Sequence, residues 1–221
     1  MTLDVAQKPD WSRIDTVLLD LDGTLLDLAF DSYFWHERVP AAYGAAQSLT
    51  LEQARTVLGP RFQACEGTLD WYCIEYWTRE LGLDIHTLKR TEAQRVAWLP
   101  GARDFLDRVR ARGKRLVLLT NSHPKVLRIK DERTGVTGYF DAAFSSQQFG
   151  APKEDARFWR SVRKIEPFDP ARTMFVDDSP PVLRAARDAD IRWIYAVRHP
   201  DTSRAPRAHT EFPVVDSVVE L

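Results

Sequence analysis

Short apolar runs alternate with helical stripes along most of the chain. The first run, Thr16-Val-Leu-Leu-Asp-Leu21, has the length of a strand and is followed by Asp-Gly. A strand that is apolar at every position is one covered on both faces, as in a parallel sheet flanked by helices. Comparable runs recur at Arg115 to Thr120, Ala142 to Ser145, Thr173 to Val176 and Ile191 to Val197. Between them, Ala102 to Arg112 sets Phe105, Leu106 and Val109 on one stripe ahead of Gly113, a residue suited to leaving a helix. Ser179 stands where it can cap a further helix, with Pro180 in the first turn and Val182, Leu183 and Ala186 at helical spacing. The alternation predicts an α/β fold, a doubly wound, Rossmann-like parallel sheet with its ligand crevice beyond the carboxyl ends of the strands.

The interval from Leu28 to Leu99 breaks this rhythm. It contains no convincing strand and is rich in aromatics, above all in Asp27-Leu-Ala-Phe-Asp-Ser-Tyr-Phe-Trp35 and Trp71-Tyr-Cys-Ile-Glu-Tyr-Trp77. It reads as an inserted helical cap over residues 28–99, cut into short helices by Pro40, Gly44, Gly59-Pro60, Gly67 and Gly82. Pro100-Gly101 marks the return, so that residues 1–27 and 100–221 form the core. Phe30, Phe34, Cys73, Ile74 and Trp77 fall on helical stripes and are expected inside the cap, leaving one or two aromatics to stack a base. After Arg198 the chain turns loop-like, with Pro200, Pro206 and Pro213, before a short apolar end at Val214 to Leu221.

Composition narrows the function. Thirty-one Lys and Arg against 32 Asp and Glu leave a net charge of -1, which supplies no global field for nucleic acid or an anionic membrane. Met1 to Asp15 carries three aspartates and no apolar core of a secretory signal, and no apolar run approaches the roughly 18 residues of a membrane span. A cytoplasmic protein, monomeric or a small homo-oligomer, is expected. Cys65 and Cys73 read as reduced structural thiols, with no Cys/His cluster of zinc spacing.

Chemistry concentrates at strand ends. Asp20-Leu-Asp-Gly-Thr-Leu25 places two carboxylates at the end of a buried strand, although Asp22 with Gly23 also suits a plain turn. Asp177-Asp178 follows a second apolar strand and precedes a helix, which fits either a solvated helix start or a metal site. Four carboxylates at neighbouring strand ends would repel one another unless a hard divalent cation such as Mg²⁺ lay between them. Thr120 and Asn121 end a third strand in a hydroxyl and an amide, suited to phosphate oxygens or to an ordinary loop. Lys153, in Gly150-Ala-Pro-Lys-Glu154, is either an exposed lysine or an ammonium aimed inward by a fixed turn. Such a set suits phosphoryl transfer. In such chemistry Asp20 would attack phosphorus in line, Lys153 and the cation would neutralise the equatorial oxygens, and Asp22 could protonate the leaving alcohol and later activate water.

The order and context of these four elements resemble the haloacid dehalogenase superfamily. That resemblance implies Asp20 as nucleophile, Asp22 as general acid and base, Thr120 and Lys153 as phosphate holders, and Asp177 with Asp178 as the magnesium pair. Asp178 is favoured as direct ligand, and the backbone carbonyl of Asp22 faces the metal. The two aromatic segments, with Thr120-Asn-Ser-His-Pro124 and Gly150-Ala-Pro-Lys-Glu-Asp155, are similar to the bacterial GMP/IMP nucleotidase branch, which implies purine nucleoside 5′-monophosphates as substrates.

Other outcomes of the same fold stay open: a sugar-phosphate phosphatase or a phosphomutase. A 2-haloacid dehalogenase would need neither Asp22 nor the acidic pair. A signalling receiver carries its acidic pair at the first strand and its acceptor later, the reverse of the order here. His123 before Pro124 reads as solvent-facing, and His36, His86, His199 and His209 form no spaced cluster.

Overall fold

The computed structural model describes residues 8–208 and 211–221. The first seven residues of the stretch read as free of a secretory signal, and His209, lie outside them. Six strands, β1 (Thr16–Leu19), β2 (Arg115–Thr120), β3 (Ala142–Ser145), β4 (Thr173–Asp177), β5 (Trp193–Val197) and β6 (Val214–Val215), form one sheet in the order β3-β2-β1-β4-β5-β6. Every pairing is parallel.

The apolar runs are used on both faces. Val17, Leu19, Leu116, Leu118, Met174 and Val176 point into one buried cluster, while Leu18, Val117, Leu119 and Phe175 point into another. The pleat's two-residue period assigns neighbours to opposite faces, and both faces are dry. Burying such side chains stabilises the fold by roughly 1.5–3 kcal/mol each before conformational entropy is counted. β6 extends the sheet from the short apolar C-terminal run, where the sequence pattern had indicated no strand.

Among the described residues the nine α-helices are α1 (Ala29–Tyr33), α2 (Val39–Gln47), α3 (Leu51–Cys65), α4 (Ile74–Leu81), α5 (Ile85–Thr91), α6 (Ala102–Ala111), α7 (Pro124–Thr134), α8 (Ala156–Ile165) and α9 (Pro180–Asp188). Phe105, Leu106 and Val109 of α6 cover one face of the sheet; α8 and α9 cover the other through Phe158, Trp159, Val162, Val182, Leu183 and Ala186. Ser179 occupies the cap position of α9, but its side chain makes no capping bond. Instead its backbone N–H donates to Asp177 Oδ1 at 2.8 Å. The acidic side chain already at the strand end is the better acceptor for that orphan amide.

Among the described residues no strand occurs between 28 and 99. The segment from Phe34 through α5 builds its own cluster from Phe34, Val39, Ala54, Leu58, Ile74, Trp77, Leu81 and Ile85, closed by Val126 of α7. The proline signals misplace its breaks. α3 runs unbroken through Gly59-Pro60, both exposed, because Ala54 and Leu58 anchor its buried side. Pro40 and Gly44 also lie inside helix. Ahead of them a wide turn at Phe34–Arg38, with Val39 N–H bonding to Phe34 O, joins α1 to α2. Of the expected interior residues, Phe30 belongs to the sheet cluster, and Cys73 caps α4 by accepting from Tyr76 N–H through its sulfur. No helix among the described residues is long and apolar enough to cross a membrane.

Candidate active site

The register of the central strands brings the acidic motifs together. Leu19 pairs with both Leu118 and Val176, so the residues leaving β1, β2 and β4 stand level at one edge of the sheet, at the crevice where strand order reverses. There one side-chain oxygen from each of Asp20, Asp177 and Asp178, all buried, lies within 4.8 Å of the other two.

Lys153 reaches this cluster from the loop after β3. Its Nζ donates to Asp20 Oδ1 at 2.5 Å and to Asp177 Oδ2 at 2.7 Å, with 2% of the side chain exposed. The loop is held rigidly: Lys153 N–H donates to Asn121 Oδ1, and Trp159 Nε1 donates to Lys153 O. Asn121 in turn donates to Glu154 Oε2 at 2.9 Å. The amide read as a substrate contact therefore holds the lysine loop in place. Thr120 is buried at the end of β2, where its Oγ1 accepts from Ser122 N–H.

Asp178 Oδ2 accepts from Arg207 Nη1 at 2.7 Å. Nothing in the local sequence singles out this arginine, which lies in the loop-like stretch after β5. Gly23 presses directly on the same aspartate. Its φ is +89°, and a Cβ there would stand 2.8 Å from Asp178 Cγ and 2.9 Å from Pro200 Cβ. Gly23→Ala should therefore cost about 1–3 kcal/mol from backbone strain and overpacking, read by urea unfolding, and should reduce activity. Wild-type stability and activity in that variant would show that the first motif does not abut Asp178.

Asp22 engages a second lysine. Lys130 Nζ on α7 donates to Asp22 Oδ1 and to Asp31 Oδ2, each at 2.6 Å, and Lys89 on α5 bonds to Asp31 as well. Both lysines are buried, at 2% exposure or less, and Lys89 Nζ lies 4.5 Å from the centre of the Phe34 ring. The sequence offered no signal for this group, because its four members lie on separate elements and only Asp22 belongs to a motif.

Burial dominates the electrostatics. It pushes Asp20 up to about 7 against the opposing pull of Lys153, with Asp177 and Asp22 adding to the rise. Asp178 rises to about 7 and Asp177 to about 6, again chiefly from burial. Burial also raises Asp22 against the pull of Lys130. For Lys153, burial opposes the charged form, but Asp177 and Asp20 outweigh it and hold the ammonium above its ordinary value.

His123 is not solvent-facing: its side chain is 13% exposed and its Nε2 lies 2.9 Å from Glu75 Oε2. With Lys125 N–H donating to Nδ1 and Lys125 Nζ on Glu75 Oε1, the ring donates through Nε2 and the group is satisfied internally. Cys73 lies beside it, so folding assembles a Cys–Glu–His cluster that linear spacing did not reveal. The aromatics mostly face each other. Trp35, Phe62, Trp71 and Trp77 pack with ring centroids 5.1–6.0 Å apart.

With the motifs at four strand ends in place, comparison with known proteins decides the family. A family model described as haloacid dehalogenase-like hydrolase matches residues 14–190. The chain belongs to this family. It is 40% identical over 211 residues to the GMP/IMP nucleotidase YrfG of Escherichia coli, covering 96% of this chain and 95% of that protein. It is 25% identical to a phosphorylated carbohydrates phosphatase of Thermotoga maritima, over 84% of this chain and 86% of that one. Among solved structures, a haloacid dehalogenase-type phosphatase from Thermococcus onnurineus superposes with a TM-score of 0.76 at 18% identity, covering 94% and 95% of the two chains. This haloacid dehalogenase-like hydrolase thus has a fold shared well beyond its recognisable sequence relatives.

Proposed function

We propose that the protein is a Mg²⁺-dependent phosphomonoesterase that hydrolyses purine nucleoside 5′-monophosphates, GMP and IMP above all, through an aspartyl-phosphate on Asp20. The observation carrying this reading is the buried convergence of Asp20, Asp177 and Asp178 around the Lys153 ammonium. The purine preference rests on the 40% identity to the E. coli nucleotidase.

The donor set suits magnesium. Among the described residues, the cationic hydrogen-bond partners of the three buried carboxylates are Lys153 and Arg207, and hard oxygen ligands of this kind match Mg²⁺. Asp20, Asp178 and the backbone carbonyl of Asp22 would hold the ion. Asp177 has both oxygens committed, one to Lys153 and one to Ser179 N–H, which favours Asp178 as the direct acidic ligand. When bound, the ion supplies positive charge at the transferring phosphoryl group.

The protein's own groups do the rest. An Asp20 carboxylate oxygen forms a bond to phosphorus as the P–O bond to the nucleoside breaks, and Asp22 gives its proton to the departing 5′-oxygen. Water then attacks the same phosphorus, losing its proton to Asp22, and Asp20 is released. Lys153 offsets charge on the phosphoryl oxygens, and Thr120 offers a hydroxyl to them. The helices of residues 28–99 serve as the cap that covers the substrate and limits the entry of bulk water.

A phosphate-release screen over nucleotides and sugar phosphates, with and without Mg²⁺, tests this reading. GMP and IMP should exceed sugar phosphates, and chelation should lower turnover by at least about 10²-fold. Sugar phosphates turned over faster would favour an activity like that of the Thermotoga phosphorylated carbohydrates phosphatase, and undiminished rates in chelator would refute the metal requirement.

A further inference from the structure

We propose that Lys130 is a positioning residue for Asp22, fixing one oxygen of that carboxylate so that the other serves the leaving group and then the attacking water. The inference rests on the reading of Asp22 as proton donor and acceptor. It adds a residue that none of the four strand-end motifs contains.

The geometry is specific. Lys130 sits near the middle of α7, yet its ammonium spans Asp22 Oδ1 and Asp31 Oδ2, residues 108 and 99 positions away, at 2.6 Å each. Asp31 is gripped from its far side by Lys89. Two carboxylates and two ammoniums thus form a closed, charge-balanced group, lodged against the Phe30 and Phe34 rings. Taking four charges out of water costs more than apolar packing of equal volume, so stability alone is a poor reason to build such a group. Orientation is a better one. A carboxylate turns about its last bond, and the group that carries a proton to a departing oxygen must present one oxygen at hydrogen-bond distance. Lys130 takes Oδ1, and Oδ2 makes no hydrogen bond among the described residues.

The chain of partners also fixes Lys130 itself. Without Asp31, the ammonium could swing with its four-carbon stem; with Asp31 clamped by Lys89, it has one place to stand. Asp31 and Lys89 come from α1 and α5, so seating of those helices sets the orientation of Asp22.

The test separates the two chemical steps. With p-nitrophenyl phosphate the leaving phenolate needs no proton, so the enzyme can be phosphorylated without Asp22, while hydrolysis of the aspartyl-phosphate still needs it. Asp22→Asn is the reference: it should release one equivalent of p-nitrophenolate in a burst and then turn over slowly. Lys130→Met should do the same, with kcat reduced about 10²-fold and KM little changed, as expected for a misplaced catalytic group. Lys130→Gln, which keeps one donor for Oδ1, should recover part of the loss.

A Lys130→Met enzyme with wild-type turnover would overturn the proposal. So would loss of the burst in proportion to kcat, since that reports a damaged site rather than a misdirected carboxylate. If Lys130→Met does not fold, Lys130→Gln carries the test with a smaller expected loss of kcat and the burst retained, and failure of both to fold would assign the lysine to the fold alone and overturn it too. Failure of the underlying reading looks different. The wild type would then not turn over the aryl phosphate, or Asp22→Asn would turn over normally.

Discussion

Asp20→Asn should abolish turnover, by at least about 10³-fold, and should remove all covalent phosphate from the protein. An amide oxygen is a poor nucleophile toward phosphorus, and the neighbouring carboxylates are engaged with other partners. Asp177 is tied to Lys153 and to Ser179 N–H, and Asp178 to Arg207. The fold should survive, because an amide oxygen at the same position still accepts from Lys153, and a neutral side chain suits a site where burial already opposes the charge. The check is intact mass after acid quench during turnover. Wild type should carry a phosphoryl adduct that maps to Asp20, whereas Asp20→Asn should carry none and melt at or above the wild-type temperature. An adduct elsewhere, or appreciable residual activity, would remove Asp20 from the centre of the mechanism.

Asp22→Asn should lower kcat for nucleoside monophosphates by about 10²–10⁴-fold, the range ascribed to a lost proton-transfer group. Its effect should depend on the leaving group. A nucleoside 5′-oxygen must be protonated as it departs, so formation of the aspartyl-phosphate slows as well as its hydrolysis. The variant should remain folded, since an Asn oxygen can still accept from Lys130 and that lysine keeps Asp31. Circular dichroism matching wild type, together with the rate loss, is the expected pair of results. Unfolding would instead mark Asp22 as structural.

The convergence of the acidic motifs was legible in the sequence because it is local. Asp20, Asp22, Thr120, Asp177 and Asp178 all sit at the ends of apolar runs, and a strand end in a parallel sheet is a place as well as a residue number. Lys153 was readable only through its company, since a lysine is ordinarily exposed and the Gly150-Ala-Pro turn alone does not bury it. Arg207, Lys130, Asp31 and Lys89 were not readable. Each joins the site through contacts of long sequence separation, for which neither periodicity nor turn chemistry carries information. The same holds for His123, whose partner Glu75 arrives from a separate helix. The break expected at Gly59-Pro60 failed for a different reason: Pro60 is tolerated on an exposed helix face once apolar neighbours hold the opposite side.

The level register of the three central strands has one more implication. Neighbouring strands in a sheet keep a spacing of about 4.8 Å set by backbone hydrogen bonds, whatever side chains they carry. The distance between Asp20 and Asp177 is therefore inherited from the main chain, and swapping the segment between residues 28 and 99 for another would leave it almost untouched. The spacing of the acidic cluster is thus written in the strands, while the partners of Asp31 that bear on Asp22 come from α5, within residues 28–99, and from α7 beyond them.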